Sequence, residues 1–237
     1  MDITEEKGMQ YIDSLSLSLK LGLTVSAILL TVTLPLALLF AFKIFPGKII
    51  FESMFSLPTV LPPVVLGFFI LQTISPNSFF GYLMEDTFGI KLAFSFTGII
   101  LAAALAGFPF MFSHLVTGLR EMNPLLLETA WSLGKSPLAV LFKVIIPDQI
   151  LRIISSVIVC FAQVIGSFGI ISMVGGNIRG QTNVVSIKLF ELVEALEYKK
   201  AEELSLILVG VSFIIMIVLQ IINHKKVNRE KYARRGL

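Results

Sequence analysis

The sequence predicts an all-α integral membrane protein with five transmembrane helices per chain, on three observations: composition, the length of the apolar blocks, and a sided distribution of charge. Of 237 residues, 55% are hydrophobic and only 15% are charged. The apolar residues fall in blocks too long for a soluble core. A helix rises about 1.5 Å per residue, so about 20 apolar residues cross a hydrocarbon layer of about 30 Å. Five blocks qualify, at Leu21–Phe42, Met54–Ile74, Leu92–Leu119, Ile153–Val174 and Leu204–Ile222. With charges assigned to alternate sides of these spans, one side holds twelve Lys and Arg against five acids, and the other seven against eleven. Basic excess marks the cytoplasmic side. The N-terminus is therefore expected outside, and residues 121–147 and the C-terminal tail in the cytoplasm.

The elements follow in order. The start, with Asp2, Glu5 and Glu6 and no basic front, does not read as a cleavable signal, so the first span is expected to stay in the mature protein. Lys20 beside it can snorkel to the outer surface. Pro35 in the first span and Pro109 in the third read as kinks. The second span opens with Pro58, Pro62 and Pro63, three missing backbone donors within six positions. Lipid tolerates freed carbonyls only where neighbours or a water-lined cavity satisfy them, so this segment is either a pathway element or a packing kink. Residues 75–91 read as an outer connection. The third span is long enough to tilt or project.

The fourth span carries Gln163, which either lines a pathway or bonds a neighbouring helix, and ends in Gly166-Ser167-Phe168-Gly169. A turn with Gly175, Gly176, Asn177, Gly180 and Thr182 follows. Its small residues suit close packing, and its Asn and Thr can offer hydrogen-bond donors to an oxyanion. An amphipathic helix is expected near 184–198, with Glu191, Glu194 and Glu197 wet. The fifth span completes one membrane domain over 1–223, and a basic tail occupies 224–237.

Between the third and fourth spans lies the most informative stretch. Asn123 can cap a helix whose first position is Pro124, Gly134 can end it in a left-handed turn, and Ser136-Pro137 repeats the start signal. Two short helices bent around a glycine are expected, closing at Pro147. Within them, Ala130 leaves room for close docking, and Glu128 can accept bonds from the loop backbone or a basic partner. Trp131 either anchors an interface or sits at the headgroup level.

Several chemistries lack their residues. Cys160 is the only cysteine, and His114 and His224 have no partner at zinc-site spacing, so no metal site is expected. No Gly-x-x-x-x-Gly-Lys-Ser/Thr run is present, so the chain itself should hold no nucleotide. The excess base lies beside the membrane, where it suits anionic headgroups and not nucleic acid. No Asp or Glu falls within a predicted span, which argues against an ion-coupled secondary transporter. His114 with scattered serines is too little for an intramembrane hydrolase.

The elbow, with Glu128, Ala130, Gly134 and the later aliphatic-x-aliphatic-Pro147, resembles the cytoplasmic coupling loop of importer-type ABC permeases. Phe45-Pro46-Gly47-Lys48, the run from Leu57 to Gly67, Phe88-Gly89-Ile90 with Ala93-Phe94-Ser95, and the Asn177 turn are similar to the permease of bacterial molybdate ABC importers. Tungstate and sulfate permeases share much of this pattern. One departure is Ser167, where the family usually has glutamate in a Gly-Glu-Phe-Gly box. The resemblance implies an ABC importer permease fold that moves an oxyanion, molybdate first, by alternating access across the cytoplasmic membrane of a prokaryote. It also implies a second copy of the chain, two cytoplasmic ATPase subunits carrying ATP and Mg, and an external oxyanion-binding protein. By the same resemblance Glu128, Ala130 and Gly134 belong to the elbow that docks on the ATPase, in a coupling loop that also holds Trp131, Ser136, Pro137 and Pro147. Pro58, Pro62, Pro63, Gln163, Ser167, Phe168 and Gly169 are then the pathway or gate candidates.

Overall fold

A computed structural model describes residues 3–235, with side chains described over 11–222 and at His224. The acidic start and the bases of the tail predicted at 224–237 lie outside the described side chains. Eleven α-helices and one π-helical turn make up the described secondary structure, in the order α1 (Ile3–Phe42), α2 (Lys48–Val60), α3 (Pro63–Ile74), α4 (Phe79–Phe88), α5 (Phe96–Arg120), α6 (Pro124–Ser132), α7 (Pro137–Val140), the π turn (Leu141–Ile145), α8 (Ile146–Ile165), α9 (Phe168–Gly175), α10 (Val185–Glu194) and α11 (Tyr198–Arg235). Four stretches are long and apolar enough to cross a membrane: Tyr11–Phe42, Phe96–Arg120, Pro137–Ile165 and Tyr198–Ile222. The bent pair α2 and α3 makes a fifth if counted as one span. The chain is therefore a multi-pass membrane protein.

Two expected spans are broken. The second is not one rod over Met54–Ile74, because α2 and α3 meet at 108°. Pro62 and Pro63 supply no N–H to continue α2, and Leu61 is extended, with Pro63 restarting a helix at its first position. The fourth stops at Ile165, nine residues short of its expected end, since Ser167 leaves helical geometry and α9 begins afresh. At its other end it starts earlier than expected. Pro147 has no N–H for the Lys143 carbonyl, and the chain absorbs the misfit by widening one turn, where the Ile146 N–H bonds the Leu141 carbonyl. Pro35 and Pro109 lie inside unbroken helices.

The core is the packing of α1, α5 and α8, with Leu21, Val25, Ile99, Met111, Leu115, Cys160 and Val164 buried between them. Lipid gives helices no hydrophobic reason to associate, so close backbone approach carries more of the packing. Gly107 fits that role, since a Cβ there would lie 3.2 Å from both Cys160 Sγ and Leu29 Cδ1. At one end of the bundle Phe40, Phe55, Phe108 and Phe112 join α1, α2 and α5, with Phe40 and Phe112 edge-to-face at 5.3 Å. A second cluster joins α3, α5 and α9 through Ile70, Ala102, Ala106 and Val174.

Residues 75–91, expected as a plain connection, contain α4. Ser78 accepts a hydrogen bond from the Gly81 N–H at its start, and Gly89 closes it at φ 66°. The expected amphipathic helix is α10, yet its faces differ from the expectation. Ile187 and Leu192 are buried, but Phe190, Val193 and Leu196 are exposed. Lys188 is buried and Glu191 is mostly covered, because the two form an ion pair at 3.3 Å.

Candidate functional site

The elbow between α5 and α8 is built from three local signals. The Asn123 side chain accepts from the Leu125 N–H at 3.1 Å, with Pro124 opening α6. Gly134 sits at φ 66°, its N–H bonds the Trp131 carbonyl at 2.9 Å, and the Lys135 N–H bonds the Ala130 carbonyl at 3.2 Å. That nested pair satisfies two carbonyls at the end of α6 and turns the chain sharply. Ser136 then accepts from the Ala139 N–H at 3.3 Å, with Pro137 opening α7. The second helix is not short: α7 runs through the π turn at Pro147 into α8, so the elbow is one end of a membrane-crossing rod.

The elbow has an inner and an outer face. Ala130 is buried in a cluster of its own chain that also holds Met122, Val140 and Ile145, so its small size serves internal packing. Glu128 is exposed. Leu125, Trp131, Leu133 and Leu138 are exposed as well, at 51 to 69%. Large apolar side chains exposed together mark a surface suited to contact with another protein or with lipid. Two ion pairs absent from the sequence reading brace its base: Arg120 with Glu52, and Arg152 with Glu121. Arg120 also donates to the Phe40 carbonyl at 3.4 Å.

The pathway candidates converge on one hollow of about 240 Å³, lined by Pro58, Pro63, Gln163, Ser167, Phe168 and Gly169 together with Thr59, Ala106 and Phe110. Pro62 is not on the wall but makes the corner between α2 and α3. Gly169 lets the two breaks touch, since a Cβ there would lie 3.1 Å from Pro63 Cβ. The wall carries no charge. Ser167 donates to the Gln163 carbonyl at 2.6 Å and Thr59 to the Ser56 carbonyl at 2.7 Å. Among the described residues on this wall, the Gln163 side-chain amide is the uncommitted polar side chain. Ala106 and Phe110 were missed by sequence reasoning, although Pro109 between them was the available signal.

The outer turn behaves differently from the expectation. Gly176 and Gly180 adopt φ 60° and 74°. Thr182 is fully buried, accepting from the Ile178 N–H at 3.0 Å and donating to the Gly175 carbonyl at 2.7 Å. Gly175 packs so closely that a Cβ would lie 2.5 Å from Ile99 Cγ2. Asn177 accepts from the Asn183 amide. These bonds hold the turn together, and the Thr182 hydroxyl, spent on the Gly175 carbonyl, is not left to donate to an oxyanion. Asn183 is the hub, since it also accepts from Ser14 at 2.8 Å and donates to Glu191 at 3.1 Å. Burial pushes the Glu191 carboxyl up, but the Asn183 bond and the Lys188 charge outweigh it and hold it below the usual carboxylate range.

Comparison with known proteins fits this arrangement. Residues 33–228 match the family described as binding-protein-dependent transport system inner membrane component. The molybdenum transport system permease protein ModB of Azotobacter vinelandii is 32% identical over 206 residues, covering 87% of this chain and 91% of that protein. The sulfate transport system permease protein CysT of Salmonella typhimurium is 28% identical over 172 residues, covering 73% and 62%. Among solved structures, an amino acid ABC transporter aligns with a TM-score of 0.61 at 20% identity, over 96% of this chain and 99% of that one.

Proposed function

The chain belongs to the binding-protein-dependent transport inner-membrane component family as an ABC importer permease subunit and not an enzyme, and on that premise we propose that its cargo is molybdate. The observation that carries the coupling half of this reading is the elbow. A glycine-hinged turn presents exposed Leu125, Trp131, Leu133 and Leu138 at the end of a continuous membrane-crossing rod. We assign its partner as a cytoplasmic ATPase subunit, whose nucleotide cycle tilts that rod. The chain works as two copies in the cytoplasmic membrane of a prokaryote, with an external protein delivering the anion. In support, the most apolar 18-residue stretch of Tyr198–Ile222 buries no residue within the chain and is left for lipid or the second copy.

The uncharged hollow at the α2–α3 and α8–α9 breaks is where the anion passes, and cargo choice rests with the external protein. Sulfate is the second reading, favoured by the likeness to a sulfate permease. The test is uptake of labelled molybdate into proteoliposomes holding the chain with its ATPase and external protein. ATP-dependent uptake blocked by unlabelled molybdate and not by sulfate is expected. Uptake blocked equally well by sulfate moves the cargo to the second reading. Transport without ATP, or elbow residues labelled from outside the cell, overturns the coupling scheme.

A further inference from the structure

A hollow of about 470 Å³ with charged side chains on its wall lies away from the elbow and the pathway cavity, between the start of α1, the glycine turn and α10. Three cations from three separate elements meet there: Lys20 of α1, Arg179 of the turn and Lys188 of α10. Among the described residues, Asp13 is the one carboxylate on the wall. Behind the wall Glu191 serves two of the cations at once, Lys188 at 3.3 Å and Arg179 at 3.7 Å. The second distance is beyond hydrogen-bond length, so the Arg179 N–H groups are not consumed by that carboxylate.

Lys20 has no carboxylate in ion-pair range among the described residues, and its ammonium is steadied over the Phe96 ring at 5.1 Å. The neutral polar groups nearby are already engaged: Ser14 donates to Asn183, Ser16 to the Asp13 carbonyl, and the Asn183 amide to Asn177 and Glu191. They frame the hollow and leave its recognition to charge. Lys20 and the Arg179 N–H groups therefore keep donors for an arriving anion, whose charge relieves cations brought together.

We propose that this hollow is a binding site for a tetrahedral oxyanion group, gripped by Lys20 and Arg179. The group is either a free inorganic oxyanion or the phosphate of an anionic lipid headgroup, since both offer the same charged oxygens to ammonium and guanidinium donors. The site rests on this cavity and not on the cargo or the ATPase partner assigned above.

The test uses the full chain alone, so that a failed importer reading cannot be mistaken for a failed site. In nanodiscs of phosphatidylcholine only, equilibrium dialysis measures binding of labelled molybdate and labelled phosphate. In discs doped with phosphatidylglycerol, mass spectrometry measures the retained anionic lipid. Lys20→Gln and Arg179→Gln alter exposed side chains and should each weaken the bound species about tenfold, as expected for one charge-assisted contact. Asp13→Asn removes the opposing charge and should tighten it, a change of sign that a merely structural role would not give. Loss in the dialysis arm identifies a free oxyanion, and loss in the lipid arm identifies a headgroup. Binding in neither arm, or binding indifferent to all three substitutions, overturns the proposal.

Discussion

Replacing Gly134 by alanine separates the elbow's backbone geometry from every side-chain effect. A Cβ at this position meets nothing within 4 Å, so no steric clash enters, in contrast to Gly98, where it would lie 1.9 Å from the Leu92 carbonyl oxygen. What remains is the cost of holding an L-residue at φ 66°, about 1–2 kcal/mol. That strain should raise the opening of the turn about 5- to 30-fold. The amides at positions 134 and 135, which bond the Trp131 and Ala130 carbonyls, report it directly by hydrogen exchange in the assembled transporter. Both should exchange faster by that factor in Gly134→Ala. The Val140 amide, bonded to the Ser136 carbonyl at 2.9 Å, should change little. Gly134→Asn should show a smaller effect, because asparagine tolerates the left-handed region. Unchanged protection at 134 and 135, or a loss spread evenly through α6 and α7, would refute the assignment of a strained hinge to this glycine.

The outer turn and its hub give two further tests. Thr182→Val keeps the shape but removes the partner of the Ile178 N–H and orphans the buried Gly175 carbonyl, the latter at about 1–3 kcal/mol. The thermal midpoint of the detergent-purified chain should fall clearly, and Thr182→Ser should restore most of it. Glu191, held below the usual carboxylate range, adds stability that is present above its unfolded-state pKa and is lost as pH falls through the folded value. Acidification through that window should deprotect the Lys188 amide, and Glu191→Gln should abolish this pH dependence.

What was legible in the sequence was local. The caps at Asn123 and Ser136 and the left turn at Gly134 act over two to five residues, so the residue types alone place them. The same grammar was present and unread at Ser78 and Gly89, which frame α4. Apolar block length located the spans but not their breaks. Pro62 and Pro63 announce an interruption without saying whether it is a gentle kink or a 108° corner. Pro147 likewise announces a misfit that a π turn resolves. Illegible were the pairs brought together only by packing: Ser14 with Asn183 across 169 positions, Arg120 with Glu52 across 68, and Arg152 with Glu121 across 31. The burial of Ala130 and Thr182 belongs to the same class. Ala130 looked like a surface contributor because its neighbours lie on other elements, and Thr182 because its bonds close only once the turn has folded.

The positions of the two breaks bear on how the proposed importer would move. Backbone groups freed inside a membrane must be satisfied by protein or face a cavity. The corner at Pro62 and the end of α8 at Gly166 both lie at the same hollow, and they rest on each other. Gly67 approaches Met173 so closely that a Cβ would sit 2.9 Å from Met173 Cβ, and Gly169 does the same against Pro63. Contacts this tight leave α3 and α9 little room to slide independently, so opening the hollow requires both breaks to shift together. The rod over Pro137–Ile165, 29 residues and hence about 43 Å long, connects the elbow to one of those breaks without interruption. The Arg152–Glu121 pair ties that rod to the end of α5. A partner that rotates the elbow therefore acts on a lever pinned at its middle, with its far end at the cavity. Loosening the pin should uncouple the two ends while leaving both folded.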